Sequence, residues 1–167
     1  NTTGGTGGYG TIYYKPPAPV VWTNYSLQAK LQFPSGAYGG GLAGRVNSDT
    51  GARYGVWVYP ATSTLSLIKF TDWGHWTNTP LASASIVLDQ EFHSVKVDFS
   101  GNLIRVYWDG NFKIEYTDNN SPYTSGGIGL DSYNGSASYL MKVDDVEVVG
   151  PIAYETEGEL ISSAFDG

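Results

Sequence analysis

Polar and apolar residues alternate along the chain between positions 25 and 149. In the first run, residues 25–33, every odd-numbered position is apolar, and the positions between are serine, glutamine or lysine. This period of two places the apolar side chains on one face of a β-strand. Helical spacing of apolar residues is not sustained anywhere in the chain, so the pattern predicts strands.

Turn-forming residues divide this region into about ten short strands. A Pro-Ser-Gly sequence at 34–36 ends the first run, and Asp109-Gly110 is the strongest hairpin signal. The other predicted strands are residues 40–46, 53–59, 65–70, 84–88, 92–99, 103–108, 112–116, 126–130 and 137–149. This spacing predicts an all-β fold of two antiparallel sheets, a jelly-roll β-sandwich.

The two ends of the chain differ from this region. Residues 1–10 are rich in glycine and threonine, which is typical of a flexible linker. Residues 151–167 contain four acids and no base. We expect one lectin-like β-sandwich domain over residues 1–150 and an acidic, strand-like tail over residues 151–167. The tail would pack on its own subunit or on a neighbouring one.

Composition supports this fold class and limits the partners. Hydrophobic residues make up 41% of the chain and charged residues 15%, and the 13 tyrosines favour strands over helices. The net charge of -7, with no basic stripe, excludes nucleic acid as a partner. No apolar run approaches the roughly 18 residues of a membrane span.

Two features predict a secreted or cell-surface protein. The chain begins with Asn1 rather than methionine, as a matured product does. Asn1, Asn24, Asn119 and Asn134 each stand in an Asn-x-Ser/Thr sequon, the acceptor motif for glycosylation. The chain has no cysteine, which excludes disulfides and thiolate metal sites.

Residues with hydrolytic chemistry are not grouped in the sequence. His75 and His93 are too far apart to form a local metal motif, and no Gly-x-Ser-x-Gly sequence is present. Near the end of the last strand, alternation places Asp145 and Glu147 on one face and Asp144 on the other. We expect these acids to be solvated and the chain to have no catalytic residues.

The segment 70–78 is the most suggestive candidate for ligand binding. Trp73 and Trp76 flank a glycine in a predicted hairpin loop, where large aromatic side chains often mark an interface. Their rings suit stacking on sugar C–H faces, and Asp72, His75 and Asn78 offer hydrogen bonds to hydroxyl groups. The alternative is that one tryptophan folds back onto the core.

The aromatic residues of the predicted strands have two expected roles. Trp57 and Trp108 are expected to be structural. Four tyrosines are expected to line one exposed sheet face, which would suit glycans: Tyr54, Tyr59, Tyr107 and Tyr116.

Turn residues with side-chain oxygens are the candidate calcium ligands. Asp118 with Asn120, and separately Asp49, lie next to backbone carbonyls and offer the oxygen atoms that a hard cation needs. The sequence contains no EF-hand loop. The alternative is that these residues are ordinary turn formers.

Seven short motifs occur in order between residues 22 and 148. They are Trp-Thr-Asn-Tyr-Ser-Leu-Gln-Ala at 22–29, Gly-Gly-Leu-Ala-Gly-Arg at 40–45, Tyr-Gly-Val-Trp at 54–57, Phe-His-Ser-Val-Lys-Val at 92–97, Ile-Arg-Val-Tyr-Trp-Asp-Gly at 104–110, Gly-Gly-Ile-Gly-Leu at 126–130 and Val-Asp-Asp-Val-Glu-Val at 143–148. Their order resembles the concanavalin A-like lectin/glucanase superfamily, in its laminin-G-like and carbohydrate-binding-module branch. The resemblance implies two antiparallel sheets, glycan binding or protein adhesion, and often bound calcium. The Glu-x-Asp-x-x-Glu strand of the glucanase branch is absent.

The resembled superfamily usually has one more opening strand, and no convincing counterpart precedes Trp22. Residues 158–167, Gly-Glu-Leu-Ile-Ser-Ser-Ala-Phe-Asp-Gly, resemble that strand instead. A strand supplied from elsewhere can complete an exposed sheet edge. The residues expected to make this contact are Leu160, Ile161, Ala164 and Phe165.

The sequence supports two hypotheses. The first is a non-catalytic extracellular module that binds a glycan or cell-surface polysaccharide. The second is a structural subunit of an extracellular filament or surface layer, joined to copies of itself by strand exchange through its termini.

Overall fold

A computed structural model describes residues 8–18, 20–135 and 139–150. The sites predicted at Asn1, Leu160, Ile161, Ala164 and Phe165 lie outside these residues. Within them, no helix has the length and apolar character needed to cross a membrane. The strands are β1 (Tyr9–Tyr14), β2 (Tyr25–Gln32), β3 (Gly39–Val46), β4 (Arg53–Tyr59), β5 (Thr64–Phe70), β6 (Ala82–Ser85), β7 (His93–Ser100), β8 (Leu103–Trp108), β9 (Asn111–Thr117), β10 (Gly127–Tyr133) and β11 (Lys142–Val149).

These strands form two antiparallel sheets. The six-stranded sheet has the order β1-β10-β3-β4-β5-β6, and the five-stranded sheet has the order β11-β2-β7-β8-β9. Apolar side chains from both sheets pack in one core between them. The prediction of an all-β, antiparallel two-sheet sandwich is therefore confirmed.

The core follows the predicted alternation. On β2, the tyrosine, leucines and alanine at odd positions are buried, and the polar residues between them are more accessible. Trp108, on β8, is 3% exposed, and its indole N–H donates to the Val87 carbonyl at 3.0 Å. The structural role predicted for Trp108 is therefore confirmed.

A buried ion pair ties β5 to the turn after β9. Lys69 Nζ lies 2.6 Å from Asp118 Oδ2, and the Tyr54 hydroxyl donates to the same oxygen at 2.6 Å. Burial opposes ionisation of Asp118, but the hydrogen bonds from Lys69 and Tyr54 outweigh it and hold the pKa of this carboxyl below its usual range. The pair thus links residues that are far apart in sequence.

A second buried cation joins three loops at one end of the sandwich. The guanidinium of Arg45 donates from Nη1 to the carbonyls of Gly101 and Tyr123 and from Nη2 to the carbonyl of Thr23. Its Cζ lies 5.0 Å from the ring centroid of Phe99. Backbone carbonyls and a ring face replace the water that this charge loses on burial.

The structure corrects the predicted linker at the start of the chain. β1 begins inside that segment and pairs with β10 from Tyr9↔Tyr133 to Tyr14↔Ile128. Its tyrosines, Thr11 and Ile12 have high strand propensity, which outweighs the effect of Gly10. An opening strand therefore precedes Trp22, and its supposed absence no longer supports strand exchange. The strand predicted at 84–88 lies instead at 82–85.

Replacing Asp118 with asparagine tests the buried ion pair. Because the folded-state pKa of Asp118 is depressed, its ionised form stabilises the fold above the unfolded-state pKa of about 3.9, and this contribution disappears as the pH falls through the folded-state value. Asp118→Asn should cost about 3 kcal/mol at pH 7, because Lys69 loses its partner, and should make stability less dependent on pH below about 4. Thermal unfolding followed by circular dichroism measures both effects. Equal acid slopes for the two proteins would contradict this role.

Candidate functional site

The outer face of the six-stranded sheet carries a second cluster of aromatic rings. On β4, Trp57 and Tyr59 alternate with the core residues Val56 and Val58 and therefore lie on the opposite face. Rings from β1, β10 and two loops join them. We call this surface the aromatic face, and its residues are Tyr9, Tyr38, Trp57, Tyr59, Trp76 and Tyr133.

The rings of the aromatic face contact one another at their edges and faces. The Tyr9 centroid lies 6.0 Å from that of Trp57 and 4.7 Å from that of Tyr133. The Tyr38 centroid lies 4.8 Å from that of Tyr133 and 6.4 Å from that of Tyr59. Trp57 is only 2% exposed, whereas Tyr9 and Tyr38 are 43% and 51% exposed. The face therefore presents open tyrosine rings on a buried base.

A glycine on β4 makes room for the indole of Trp57. A Cβ atom built on Gly55 would lie 2.9 Å from both Cδ1 and Nε1 of Trp57 and 3.0 Å from Cε2 of Phe70. Any side chain at position 55 would collide with these rings. The glycine therefore permits the close approach that fixes the position of the indole.

Five rings of the aromatic face, together with Ile68 and Phe70, line a cavity of about 50 Å³. The indole Nε1 of Trp57 is buried and has no hydrogen-bond acceptor among the described residues. A buried donor without an acceptor costs about 1–3 kcal/mol, so an acceptor that reaches this atom is favoured. The cavity has room for a water molecule or a hydroxymethyl group.

A fully buried ion pair lies beside the rings on the same face. Arg53 Nε donates to Asp131 Oδ2 at 2.9 Å, and the Thr11 hydroxyl donates to Oδ1 of the same carboxylate at 2.6 Å. The Arg53 Cζ lies 3.9 Å from the ring centroid of Phe70. Because the two charges cancel, the base of the aromatic face is electrically neutral.

The phenols of Tyr9 and Tyr59 remain protonated at neutral pH. Burial, followed by the neighbouring phenols of Tyr38 and Tyr9, raises the pKa of Tyr59 to about 12. Burial, followed by Tyr133, also raises the pKa of Tyr9. Each hydroxyl can therefore donate and accept hydrogen bonds at pH 7.

A larger cleft of about 730 Å³ opens beside the aromatic face. Tyr38 and Tyr59 line both this cleft and the small cavity, so the two spaces adjoin. The loops after β2, β4 and β6, together with Asn134 after β10, form the rest of its wall. We call it the end cleft. Besides the two tyrosines, its polar lining residues are Ser35, Thr62, Asp89, Gln90 and Asn134.

The two tryptophans of the predicted ligand loop fold back onto the sheet. Trp76 forms a β-bridge with Phe70 and packs half-buried against the aromatic face. The Trp73 centroid lies 5.1 Å from that of Tyr13 and 5.8 Å from Arg53 Cζ. Both rings therefore pack on the outer face of the sheet and neither on the main core.

The polar residues of this loop bind one another. Asp72 Oδ1 accepts hydrogen bonds from the N–H groups of Gly74 and His75, each at 2.9 Å, and His75 Nδ1 lies 2.9 Å from the same oxygen. The bond from Gly74, followed by that from His75, lowers the pKa of Asp72. Asn78 is exposed and has a positive φ of 56°. A role for Asp72, His75 and Asn78 in binding stays a prediction.

The expected row of four exposed tyrosines is wrong. Tyr54 is in the core, and Tyr116 packs partly buried against it. Tyr59 lies on the aromatic face, while Tyr107 lies on the outer face of the five-stranded sheet, where Lys96 Nζ is 4.9 Å from its centroid. These residues belong to different sheets and faces, which alternation within single strands did not reveal.

A bulge changes the faces of the acids on β11. Asp144 lies opposite Lys30 and Glu147 opposite Gln28, so Asp144 and Glu147 share a face, contrary to the predicted pairing of Asp145 with Glu147. Asp145 has a positive φ of 50° and forms an ion pair with Lys30 at 2.6 Å. The Gln28 amide donates to Glu147 at 2.5 Å. The acids on this strand are therefore held by neighbouring polar side chains.

The candidate calcium ligands at Asp118 and Asn120 surround an ammonium group. Lys69 Nζ lies 2.6 Å from Asp118 Oδ2 and donates to the Asn120 carbonyl at 2.6 Å. A divalent cation would have to displace this charge, so these residues do not fit calcium. Asp49 lies in an exposed loop, where its N–H donates to the side-chain oxygen of Asn47. Over the described ranges, no three histidine, aspartate or glutamate side chains are grouped closely enough to hold a metal ion.

Three of the predicted glycosylation sites lie among the described residues. The side-chain oxygens of Asn24 and Asn134 accept hydrogen bonds from the N–H groups of Gly101 and Gly8. Asn119 is exposed, and its side-chain oxygen accepts a hydrogen bond from the Asn102 amide. Glycosylation at these asparagines stays a prediction.

No protein-family model matches the sequence, and no curated protein matches it. Among solved structures, the chain is similar to the carbohydrate-binding module CBM66 from Bacillus subtilis, with 14% identity and a TM-score of 0.68 over 87% of this chain and 97% of that one. It is similar to the exoplasmic/lumenal domain of VIP36 in a Ca²⁺/Man3GlcNAc-bound form, with 13% identity and a TM-score of 0.62 over 90% and 78% of the two chains. It is also similar to the Crh5 transglycosylase in complex with NAG, with 16% identity and a TM-score of 0.61 over 84% and 68%.

These similarities establish the fold. The chain shares its two-sheet sandwich fold with these solved structures, in agreement with the fold that the sequence resemblance implied. The three similar structures include a carbohydrate-binding module and a transglycosylase. Function must therefore be argued from the residues of this chain.

Replacing Trp57 with phenylalanine tests whether the indole N–H is unpaired. The substitution keeps a ring but removes the buried donor, so the gain offsets lost packing, and the free energy of unfolding should change by less than about 1 kcal/mol. Gly55→Ala, which displaces the indole, should instead destabilise the protein by about 1–3 kcal/mol. Urea unfolding measures both values. A loss above about 3 kcal/mol for Trp57→Phe would show that the N–H has a strong protein acceptor.

Proposed function

We propose that this chain is a non-catalytic extracellular module that binds a glycan on the aromatic face and in the end cleft. The observation that carries the proposal is that open tyrosine rings pack on Trp57, whose buried indole N–H has no acceptor among the described residues. A sugar ring has an apolar C–H face and a rim of hydroxyl groups, so it pairs with both features.

The geometry supports one binding mode. A sugar ring stacks on Tyr38 and Trp76, and a hydroxymethyl group enters the small cavity and accepts a hydrogen bond from Trp57 Nε1. Further sugar units extend into the end cleft, where Asp89 and Gln90 offer hydrogen-bond partners. In this mode, the loop with Asp72, Trp73, His75 and Asn78 borders the bound ligand.

The charge distribution favours a neutral glycan. Asp89 is the one charged residue among the described residues that line the end cleft, and Arg53 and Asp131 neutralise each other beside the rings. The chain carries a net charge of -7. An anionic polysaccharide would meet repulsion without a compensating cation in the site.

Other observations agree with this proposal. The similar solved structures include a carbohydrate-binding module and a domain bound to Man3GlcNAc. The sequons support an extracellular location. The ion pair and hydrogen bond that hold Asp145 and Glu147 support a non-catalytic role. The binding mode requires no calcium.

Binding of neutral oligosaccharides by variants of the aromatic face tests the proposal. On a glycan array followed by calorimetry, the wild type should bind at least one neutral oligosaccharide, and Tyr38→Ala and Trp76→Ala should each weaken binding about tenfold, equivalent to about 1.4 kcal/mol. The matched control is Phe112→Ala, which removes a ring that is 56% exposed on the other sheet, and it should bind as the wild type does. No binding by the wild type, or equal binding by all variants, would refute the proposal.

A second function is supported by the free edge of β1. We propose that the chain also serves as a structural subunit of an extracellular filament or surface layer, joined by strand exchange. β1 lies at the edge of the six-stranded sheet, and Ile12, Tyr13 and Tyr14 are 73%, 47% and 53% exposed. An apolar, uncovered edge strand is a site at which another chain can pair.

Light scattering of the full chain over a range of concentrations tests this second function. Subunits joined by strand exchange should show an average mass that rises with concentration, because each contact leaves another edge free. A mass that stays at the monomer value of 18.0 kDa at all concentrations would exclude it.

A further inference from the structure

The inner side of β1 is poorly covered by the residues that the structure describes. Ile12 and Tyr14 lie opposite Leu130 and Ile128 of β10, which pack partly buried against the core. Their side chains therefore point to the same side of the sheet as the core residues. Yet Ile12 is 73% exposed and Tyr14 53% exposed. The described residues thus leave much of this side accessible, although the Trp22 ring centroid lies 5.8 Å from that of Tyr14.

The free edge of β1 also lacks the features that usually protect an edge strand. It contains no charged residue, no proline and no bulge over its six residues. By contrast, β11 at an edge of the five-stranded sheet has a bulge and carries Asp144, Asp145 and Glu147. The other edge of the six-stranded sheet, β6, is four residues of alanine and serine. Strand addition is therefore favoured at β1.

The composition of the two chain ends identifies the occupant. Residues 1–7 contain only asparagine, threonine and glycine, so they offer no large apolar side chain. Residues 151–167 contain Leu160, Ile161 and Phe165, and residues 160–165 match the six-residue length of β1. The four acids of this segment oppose pairing along the acidic β11, whereas β1 is uncharged and is followed by Lys15.

We infer that the free edge of β1 and its uncovered inner side accept residues 158–167 of a second copy as an added strand. The inference rests on the proposed assembly function and names its acceptor and donor. The donor comes from another copy because the proposed assembly function requires a contact between copies. Donor and acceptor are different surfaces, so the contact is heterologous and does not close after two subunits.

Mixing two blocked variants of the full chain tests the inference. Ile12→Lys places a charge on the acceptor, and its 73% exposure means that the isolated fold tolerates the change. Leu160→Asp combined with Phe165→Asp blocks the donor. Each blocked protein should stay monomeric in light scattering, whereas an equimolar mixture should form dimers and nothing larger, because it has one usable donor and one usable acceptor. Val87→Lys, at an apolar residue that is 82% exposed elsewhere, is the matched control and should assemble as the wild type does.

The possible failures are distinguishable. A wild type that is monomeric at every concentration overturns the assembly function, and the inference with it. A wild type that assembles together with an Ile12→Lys variant that assembles equally well overturns only the assignment to β1. If the mixture stays monomeric while the wild type assembles, residues 158–167 are not the donor. A β-rich circular dichroism spectrum and a cooperative thermal transition verify that each variant monomer is folded.

Discussion

The central strands of the six-stranded sheet are buried on both faces, and the outer surface is built around this constraint. On β4, Val56 and Val58 face the core, while Trp57 on the other face is also nearly inaccessible. An antiparallel sheet commonly leaves one face to water. Here the rings of Tyr9 and Tyr59 cover that face, and their hydroxyl groups remain available. The aromatic rings that shield this face from water therefore also form a surface that suits polar, ring-shaped ligands.

β1 connects the two proposed functions. Its outward residues, Tyr9 and Tyr13, contact Tyr133 and Trp73 on the outer surface of the sheet. Its inward residue Ile12 lies at the open side of the sandwich. An added strand along β1 would fix the strand that carries Tyr9. Assembly and ligand binding are therefore expected to stabilise each other, since both order the same edge of the sheet.

Alternation in the sequence predicted the strands and their buried faces because both depend on residues that are neighbours in the sequence. The burial pattern of β2 and the bounds of β8 follow directly from the order of their residues. The outer aromatic face was missed, although strand 53–59 is apolar at nearly every position and thereby indicates burial on both sides. The ion pair of Lys69 with Asp118 joins residues 49 positions apart. The turn at Asp118 looked suited to calcium because the local sequence does not show that the Lys69 ammonium group already lies there. Contacts of this kind depend on how strands are ordered in the sheets, which periodicity does not specify.

The position of the ligand on the aromatic face is most directly tested by the five tryptophan indole N–H signals in a ¹⁵N-¹H correlation spectrum of the full chain. The titrant is the neutral oligosaccharide that binds best. The account predicts that the signals of Trp57 and Trp76 move, and that the Trp57 proton moves downfield because it gains an acceptor. Trp22 and Trp108 lie away from this surface, and their signals should stay in place. Shifts confined to Trp22, Trp73 or Trp108, with Trp57 unchanged, would contradict the account.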